Sequence, residues 1–405
     1  MRFYDLVIIG HGMAANRLLQ RLAEESNRPE RVLILGEEIR PAYNRVLLSP
    51  LLAGEISNEA LNLNPQAWYD EQGFEYRTDT RVMAIDPASK RLIMQSGQQL
   101  NYGKLVLATG SVPTVPKVKG CSLPFVMGFR NWQDVDRLSR FARQRERIRA
   151  PRAVVIGGGL LGLEAAEGLR KQGVETTLLH RAETLLNRQL DQQAGTMLQA
   201  ALSERGLGII TRARLASIET DHTEQFAGIV TLEDGKHIMT DLVVMAIGIT
   251  PRTELAREAG LSCDRAIRVN AFLRTSDPDV YALGECCEFD GTTYGLVAPI
   301  WRQAETLAGV LCGRESLPYK EEAIATQLKV SGIELFSSGE INSEDAEVMT
   351  FMDPQTREYR RLWLRDNQLV GAILYGDVRF GQQYHQWIVS GDSCEQQRQQ
   401  LLFPQ

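Results

Sequence analysis

Long apolar runs are missing: Leu242 to Ile249 has eight residues, whereas a membrane-spanning helix needs about 20. The chain is therefore not expected to cross a bilayer. The opening Met-Arg-Phe-Tyr-Asp carries no secretory signal, because the apolar stretch Leu6 to Ile9 is too short. Cysteine is scarce, six in 405 residues, and no Cys-x-x-Cys occurs. That argues against a disulfide scaffold and fits the reducing cytoplasm. Iron–sulfur and haem motifs are missing too, so no metal site is expected. Positive charge is not in excess either. Forty-five Lys and Arg against 51 Asp and Glu leave −6, which speaks against nucleic acid or an anionic membrane as the main partner.

What is present is ordinary globular composition, 43% hydrophobic and 24% charged, at a length that predicts two to three domains. Two segments look alike. In the first, Asp5 to Ile9 reads as a buried strand, Gly10-His-Gly12-Met-Ala-Ala15 as a turn, and Leu18, Leu19 and Leu22 mark a helix before a strand at Arg31 to Leu35. In the second, Arg152 to Ile156 leads to Gly157-Gly-Gly159-Leu-Leu-Gly162, a helix to about Gln172 and a strand at Glu175 to Leu179. One glycine-rich motif is weak evidence. Strand, glycine turn and helix in that order, twice in one chain, is strong.

Lys104 to Ala108 with Thr109-Gly110, and Leu242 to Gly248, read as a second matching pair of strand-plus-turn segments. A helix is predicted from near Trp132, a strand at Asp279 to Gly284, a helix at Arg302 to Leu311, and short alternating strands beyond Gly313. The Gln-rich tail from Ser393 is expected to fray. The fold class is thus α/β: two Rossmann-like dinucleotide-binding domains and a small C-terminal α+β domain. The expected division is 1–112 and 244–315 for the first nucleotide domain, 113–243 for the second, and 316–405 for the C-terminal part.

A glycine turn lets backbone approach a pyrophosphate, and the helix N-terminus behind it offers amide donors and a partial positive charge. In the first unit Ala15 stands where a third glycine is common, and an acidic residue some 20 positions on should take the ribose hydroxyls. Glu37 is that candidate, with Glu38 beside it; a solvated turn is the plain alternative. The second unit has no carboxylate at the corresponding corner. His180 stands there, followed by Arg181. An arginine near this corner can accept the 2′-phosphate of NADP, yet an exposed arginine after a strand is common, so NADH versus NADPH stays open. Two dinucleotide sites in one chain imply hydride traffic between two carriers, and flavin plus nicotinamide is the usual combination.

Taken together, Gly10 to Met13, Gly36 to Ser49, Ala108 to Ser111, Gly157 to Ala166, Arg188 to Asp191, Gly248 to Pro251, Tyr281 to Cys286 and Tyr294 to Pro299 resemble the two-dinucleotide flavoprotein reductases. These include the rubredoxin and ferredoxin reductases. The likeness is greater to the FAD/NAD(P)H part of the assimilatory nitrite reductase large subunit. The resemblance implies FAD on Gly10, Gly12, Met13 and Ala14, with Glu37 at its ribose, Val82 at its adenine, and Thr109 and Gly110 passing it. It puts Arg45 and Arg130 near flavin phosphates, Glu285 at the ribityl chain, and Val297 and Lys329 at the isoalloxazine edge. NAD(P)H would lie on Gly157, Gly159, Leu161, Gly162, His180 and Arg181, and Gly248 would be a further cofactor-binding residue. Glu164 would face the flavin where nicotinamide stacks, and Trp301 would border the ring on the acceptor side. Each has a plain alternative: a helix-face carboxylate for Glu164, interface packing for Trp301, a surface strand residue for Lys329. Pro50 departs from the lysine many relatives carry, and Arg252 stands where asparagine is usual.

Residues 41–54 hold no cysteine, so the thiol relay of disulfide reductases has no thiolate to use. The adjacent pair Cys286 and Cys287 reads as two buried apolar thiols. The resemblance implies an electron-transfer flavoprotein that takes electrons from NADH or NADPH and hands them to a separate protein. The cysteine-rich cluster segments of nitrite reductase large subunits are missing here, so electrons would leave to a separate protein or a diffusible acceptor; the branch resemblance implies a nitrate or nitrite reductase component. Other readings are a rubredoxin or ferredoxin reductase, an NAD(P)H oxidase reducing oxygen, and a non-catalytic nucleotide sensor. Finally, Arg137, Arg140, Arg143, Arg145, Arg147, Arg149 and Arg152 form a basic run that either attracts an acidic redox partner or is a solvated helix face.

Overall fold

The computed structural model describes residues 2–403 except 145–148, 224, 315–316, 323–324 and 331. The chain divides into two compact units. The first comprises Met1–Leu47, Ser57–Val112 and Ile249–Glu321; the second comprises Leu48–Ile56, Pro113–Gly248 and Glu322–Gln405.

In the first unit five parallel strands run side by side in the order Phe74–Arg77, Val32–Leu35, Arg2–Ile9, Gln99–Leu107, Val280–Ala282. Leu6 to Ile9, Val32 to Leu35 and Leu105 to Leu107 are all buried, as a parallel sheet covered on both faces requires. Antiparallel strands Arg91–Met94 and Val82–Asp86 extend from Gln99–Leu107. The helix Met13–Ala23 packs through Leu18, Leu19 and Leu22, each fully buried and each worth roughly 1.5–3 kcal/mol by burial. Its neighbour Val297–Leu311 starts five residues before the predicted Arg302. The extension tolerates Pro299 because a first-turn residue needs no N–H for the helix.

The second unit repeats the arrangement. Five parallel strands run in the order Gly208–Ile210, Glu175–Leu179, Arg152–Ile156, Leu242–Met245, Val126–Gly128. Leu215–Thr220, Gly228–Leu232 and His237–Thr240 form an antiparallel sheet of their own. The helix Trp132–Arg143 begins at a capping box: Asn131 accepts from the Asp134 amide at 2.8 Å and the Asp134 carboxylate accepts from the Asn131 amide at 3.1 Å. The basic run is not a bare stripe, since Arg140 pairs with Asp136 at 2.7 Å, Arg149 with Asp241 at 2.8 Å and Arg152 with Glu175 at 2.8 Å. Arg145 and Arg147 lie outside the described residues.

The C-terminal part of this unit is a five-stranded antiparallel sheet in the order Ala325–Val330, Ile333–Gly339, Gln368–Tyr375, Glu358–Arg365, Glu347–Asp353, with the helix Gly381–Ser390 against it. Asp191, 5% exposed, joins two parts of the unit. It caps the helix Gln192–Glu204 through the Ala194 amide at 2.9 Å and accepts from the Tyr359 hydroxyl at 2.5 Å and Arg361 at 3.0 Å. The tail does not fray as expected. Cys394 and Leu401 are buried, the Tyr384 hydroxyl donates to the Leu401 carbonyl, and Arg360 donates to the Leu402 carbonyl at 2.6 Å. Gln-rich composition hid two apolar anchors.

Candidate functional site

Each unit carries a backbone bend between its central strand and the following helix. In the first, Ile9 lies opposite Leu35 and Leu107, and the Gly10 amide donates to the Leu35 carbonyl at 2.8 Å. Gly10 has φ +108° and passes so close to the next strand that a Cβ would sit 2.1 Å from the Ala108 carbonyl oxygen. Only glycine satisfies both conditions. In the second, Ile156 lies opposite Leu179 and Met245, and the Gly157 amide donates to the Leu179 carbonyl, also at 2.8 Å. Gly157 has φ +120°, and its Cβ would lie 2.2 Å from the Ala246 oxygen. The two bends are the same device.

The helices that follow start at Gly12 and Gly159, neither of which caps its helix with a side chain. Their first amides are thus left to an external acceptor. A Cβ at either glycine would meet nothing within 4 Å, so each helix start opens onto free space. Behind it the packing is tight: Ala15 is fully buried, and a Cβ at Gly162 would lie 1.8 Å from the Gly157 oxygen. Open backbone donors on a rigid bend fit a dinucleotide pyrophosphate. Met13 and Ala14 open the first helix, and Leu161, 38% exposed, the second.

Around the first bend the structure gathers six charged groups. Glu37 pairs with Arg252 and stands 4.0 Å from Arg81. Glu38 pairs with Arg45 and accepts from the Tyr43 hydroxyl at 2.8 Å. Arg45 also donates its amide to the Met13 sulfur at 3.3 Å, and burial opposing its charge is outweighed by Tyr43, Glu38 and Glu285. Glu285 follows the buried strand Val280–Ala282 and accepts from the Ser111 hydroxyl at 2.8 Å; Gly110 lies against the same carboxylate. The Thr109 hydroxyl donates to the Arg252 carbonyl at 3.1 Å. Val82 is a buried residue at the start of Val82–Asp86. Val297 opens the helix that carries Trp301, which packs half-buried on the core of this unit with Arg17 5.8 Å from its ring centre. Arg252 had no role in the sequence; its partner Glu37 is 215 residues away, beyond any local signal.

Around the second bend, Glu164 accepts a 2.5 Å hydrogen bond from Ser49. Burial pushes its pKa up, and the Ser49 hydroxyl works against that rise. Sequence reading missed Ser49, since nothing in a strand–turn–helix pattern links it to a residue 115 positions on. Arg130 lies in this unit, just before the capped helix, with its amide on Asp134 at 2.8 Å. Gly248 has φ +124° and accepts from the Thr114 amide at 2.9 Å. His180 is turned back onto the bend: its Nδ1 accepts from the Gly158 amide at 3.0 Å, and its Nε2 faces Asn187 Oδ1 at 3.2 Å. Arg181 is exposed. Lys329 lies on Ala325–Val330, opposite Glu334, and its side chain is outside the described residues.

All six cysteines are free. Cys286 and Cys287 are fully buried and donate to the Leu107 and Gly284 carbonyls, each at 3.3 Å. Burial raises both thiol pKa values, Cys287 the more. They stay protonated near neutrality, the opposite of a reactive thiolate.

Two parallel-sheet units, each with an open helix start behind a glycine bend, define a two-dinucleotide oxidoreductase that has no disulfide relay. Comparison with known proteins gives the family. Residues 4–306 match the pyridine nucleotide-disulphide oxidoreductase family, and residues 325–392 match the rubredoxin NAD+ reductase C-terminal domain. The chain belongs to the pyridine nucleotide-disulphide oxidoreductase family, whose two nucleotides are FAD and NAD(P)H. It is 39% identical over 378 residues to a nitrite reductase [NAD(P)H] of Bacillus subtilis, covering 93% of this chain and 46% of that protein. To the assimilatory nitrate reductase electron transfer subunit of the same organism it is 36% identical over 406 residues, covering 100% and 52%. The chain thus spans about half the length of these relatives. Among solved structures, a chain of the covalent putidaredoxin reductase–putidaredoxin complex superposes with a TM-score of 0.84 at 27% identity, covering 96% of this chain and 93% of that one. Among the described residues no helix is long and apolar enough to cross a membrane.

Proposed function

We propose that this chain is an NAD(P)H-dependent, FAD-containing electron-transfer reductase of the cytoplasm. Its acceptor is a separate redox protein, and it serves as the reductase component of nitrate or nitrite assimilation. The observation that carries the reading is the repeated bend: two open helix starts in one chain, with both inner cysteines buried and protonated. The similarity to an assimilatory nitrate reductase electron transfer subunit over the whole chain supports the assignment to nitrogen assimilation.

In this reading 1–112 and 244–315 hold FAD, 113–243 hold NAD(P)H, and 316–405 form the C-terminal domain. The amides behind Gly10 and Gly12, with Met13 and Ala14, take the FAD pyrophosphate. Glu37 takes the ribose, Val82 the adenine, Arg45 and Arg130 the phosphates, and Thr109, Gly110 and Glu285 the ribityl region. Val297 and Lys329 border the flavin edge. Gly157, Gly159, Leu161 and Gly162 hold the pyridine nucleotide at its pyrophosphate, His180 and Arg181 form its ribose corner, and Gly248 is a further cofactor contact. Bound FAD supplies a two-electron acceptor for hydride that can release its electrons singly. The protein's own contribution is position: rigid bends hold each nucleotide in one pose, which replaces a bimolecular encounter with an oriented one. Glu164, held by Ser49, orients the nicotinamide amide, and Trp301 shields the opposite, acceptor-facing edge.

A second reading, rubredoxin or ferredoxin reductase, is favoured by the match of residues 325–392 to a rubredoxin NAD+ reductase domain. Anaerobic stopped-flow mixing with NADPH or NADH tests both. The yellow colour should bleach rapidly and turnover should then stall until a protein acceptor is added. Sustained turnover in air alone would mean an oxidase, and a protein that cannot be made yellow would end the proposal. Acceptor identity follows from which protein relieves the stall, a nitrate or nitrite reductase component or a rubredoxin or ferredoxin.

A further inference from the structure

The geometry points to NADPH as the electron donor this protein prefers over NADH, with Arg181 and Arg188 holding the 2′-phosphate; this rests on the second bend being the pyridine nucleotide site. The argument begins with sheet register. Leu35 and Leu179 occupy the same place, opposite Ile9 and Ile156 and bonded to the amides of Gly10 and Gly157. Counting on from them, Gly36 corresponds to His180 and Glu37 to Arg181. Where the first bend presents a carboxylate to a ribose, the second presents a guanidinium.

Among the described residues, no carboxylate stands in the register of Glu37 at this corner. His180 has both ring nitrogens engaged, Nδ1 with the Gly158 amide and Nε2 with Asn187, so it offers no acceptor to ribose hydroxyls. The next two carboxylates along the chain lie outside that register. Glu183 is two positions beyond the place of Glu37 and pairs with Arg212, and the buried Asp191 is held by Ala194, Tyr359 and Arg361. The cations are not committed. Among the described residues neither Arg181 nor Arg188 makes a hydrogen bond or ion pair. Both sit on the segment that folds over the bend, tied there by the Leu186 amide on the Gly158 carbonyl at 3.0 Å and by Asn187 on His180. Where the first bend offers a carboxylate, a 2′-phosphate here finds two guanidinium groups that no described residue pairs.

The test is binding, read by titration calorimetry on the yellow holoprotein at fixed ionic strength. Adenosine 2′,5′-bisphosphate is compared with 5′-AMP. The bisphosphate should bind at least tenfold more tightly. Arg181→Met should shrink the gap to about threefold or less, and Arg181→Glu should abolish it, while 5′-AMP affinity changes by less than threefold in both. Arg188→Gln should reduce the gap by a smaller factor. Equal affinities in the unaltered protein would overturn the NADPH assignment and leave the two-site reading intact. So would equal loss of both ligands on altering Arg181, which would mark a diffuse charge effect. If neither ligand binds, the pyridine nucleotide site itself is wrong.

Discussion

The two bends share their glycine turn, their open helix start and their strand register, and differ in the side chains around them. Each has a glycine at positive φ pressed on an alanine carbonyl, an uncapped helix behind it, and a neighbouring strand in the same register. The corners then diverge. In the first unit a histidine, His11, sits inside the turn and Gly36 ends the next strand. In the second the turn has Gly158 and the strand ends in His180. The two imidazoles fill the same kind of gap from opposite sides: a Cβ on Gly36 would lie 3.0 Å from the His11 Cβ, and one on Gly158 would lie 2.7 Å from the His180 Cγ. Pyrophosphate recognition tolerates no change because it is built from amides and close backbone contact. Ribose and base recognition is built from exchangeable groups, so one duplicated device can hold two different nucleotides.

The sharpest way to break this comparison is to damage one bend at a time. Gly10→Ala and Gly157→Ala each put a methyl about 2 Å from a carbonyl oxygen at positive φ, a strain of about 2–5 kcal/mol. Gly10→Ala should purify with less than about a tenth of the normal flavin content, seen in visible absorbance, since 1.4 kcal/mol is about a factor of ten. Gly157→Ala should stay yellow, while its bleaching by reduced pyridine nucleotide slows roughly 30-fold or more at subsaturating donor. If both variants lose colour equally, the two bends do not serve separate nucleotides.

Much of this was legible in the sequence. The strands Arg152–Ile156 and Glu175–Leu179 and the start of the helix at Trp132 fall where predicted, the strands because buried parallel strands are short apolar runs. The bends were legible for the same reason: glycine is forced by geometry that few other residues permit. What could not be read were pairings across long sequence distance. Arg252 with Glu37, Ser49 with Glu164 and Asp191 with Tyr359 join residues more than 100 positions apart, and no periodicity marks them. The docked tail was misread because its two anchors, Cys394 and Leu401, are separated by the polar run 395–400.

The exchanged histidines give the next prediction. Burial lowers the His11 pKa to about 4, so the folded protein holds this ring neutral where the unfolded chain, near 6.5, takes up a proton. A depressed folded pKa means stability present above pH 6.5 and lost as pH falls toward 4. The difference between those two values corresponds to roughly 3 kcal/mol. His180 shifts in the same direction through burial, opposed by Asn187. Denaturant midpoints at pH 4.5 and 7.5 should differ less in His11→Phe than in the unaltered protein, and an unchanged difference would show that other groups carry the acid sensitivity. The glycines opposite should be unequal. Gly158→Ala meets both His180 and Leu185 at 2.7 Å, Gly36→Ala only His11 at 3.0 Å. The former should cost about 1–3 kcal/mol and the latter less, by the same denaturation assay.

The smallest expected effect separates holding a nucleotide from using one. Glu164 belongs to the second unit alone in having a carboxyl whose pKa burial drives upward beside the bend, with only Ser49 to favour its charge. A folded pKa above the unfolded value means that the carboxyl contributes its full stability at acid pH, below about 4.5. That contribution is lost as pH rises through the folded pKa. Glu164→Gln keeps the shape and the Ser49 hydrogen bond but has no charge to desolvate. The variant should therefore melt slightly higher than the unaltered protein at pH 8 and at the same temperature at pH 4. If Glu164 also orients the nicotinamide, the same variant should slow flavin bleaching while leaving flavin content normal. Gain in stability with loss of rate is the signature of a group retained for chemistry against its folding cost. A variant that is equally fast, or less stable at pH 8, would return Glu164 to an ordinary helix-face carboxylate and leave the second bend distinguished by its ribose corner alone.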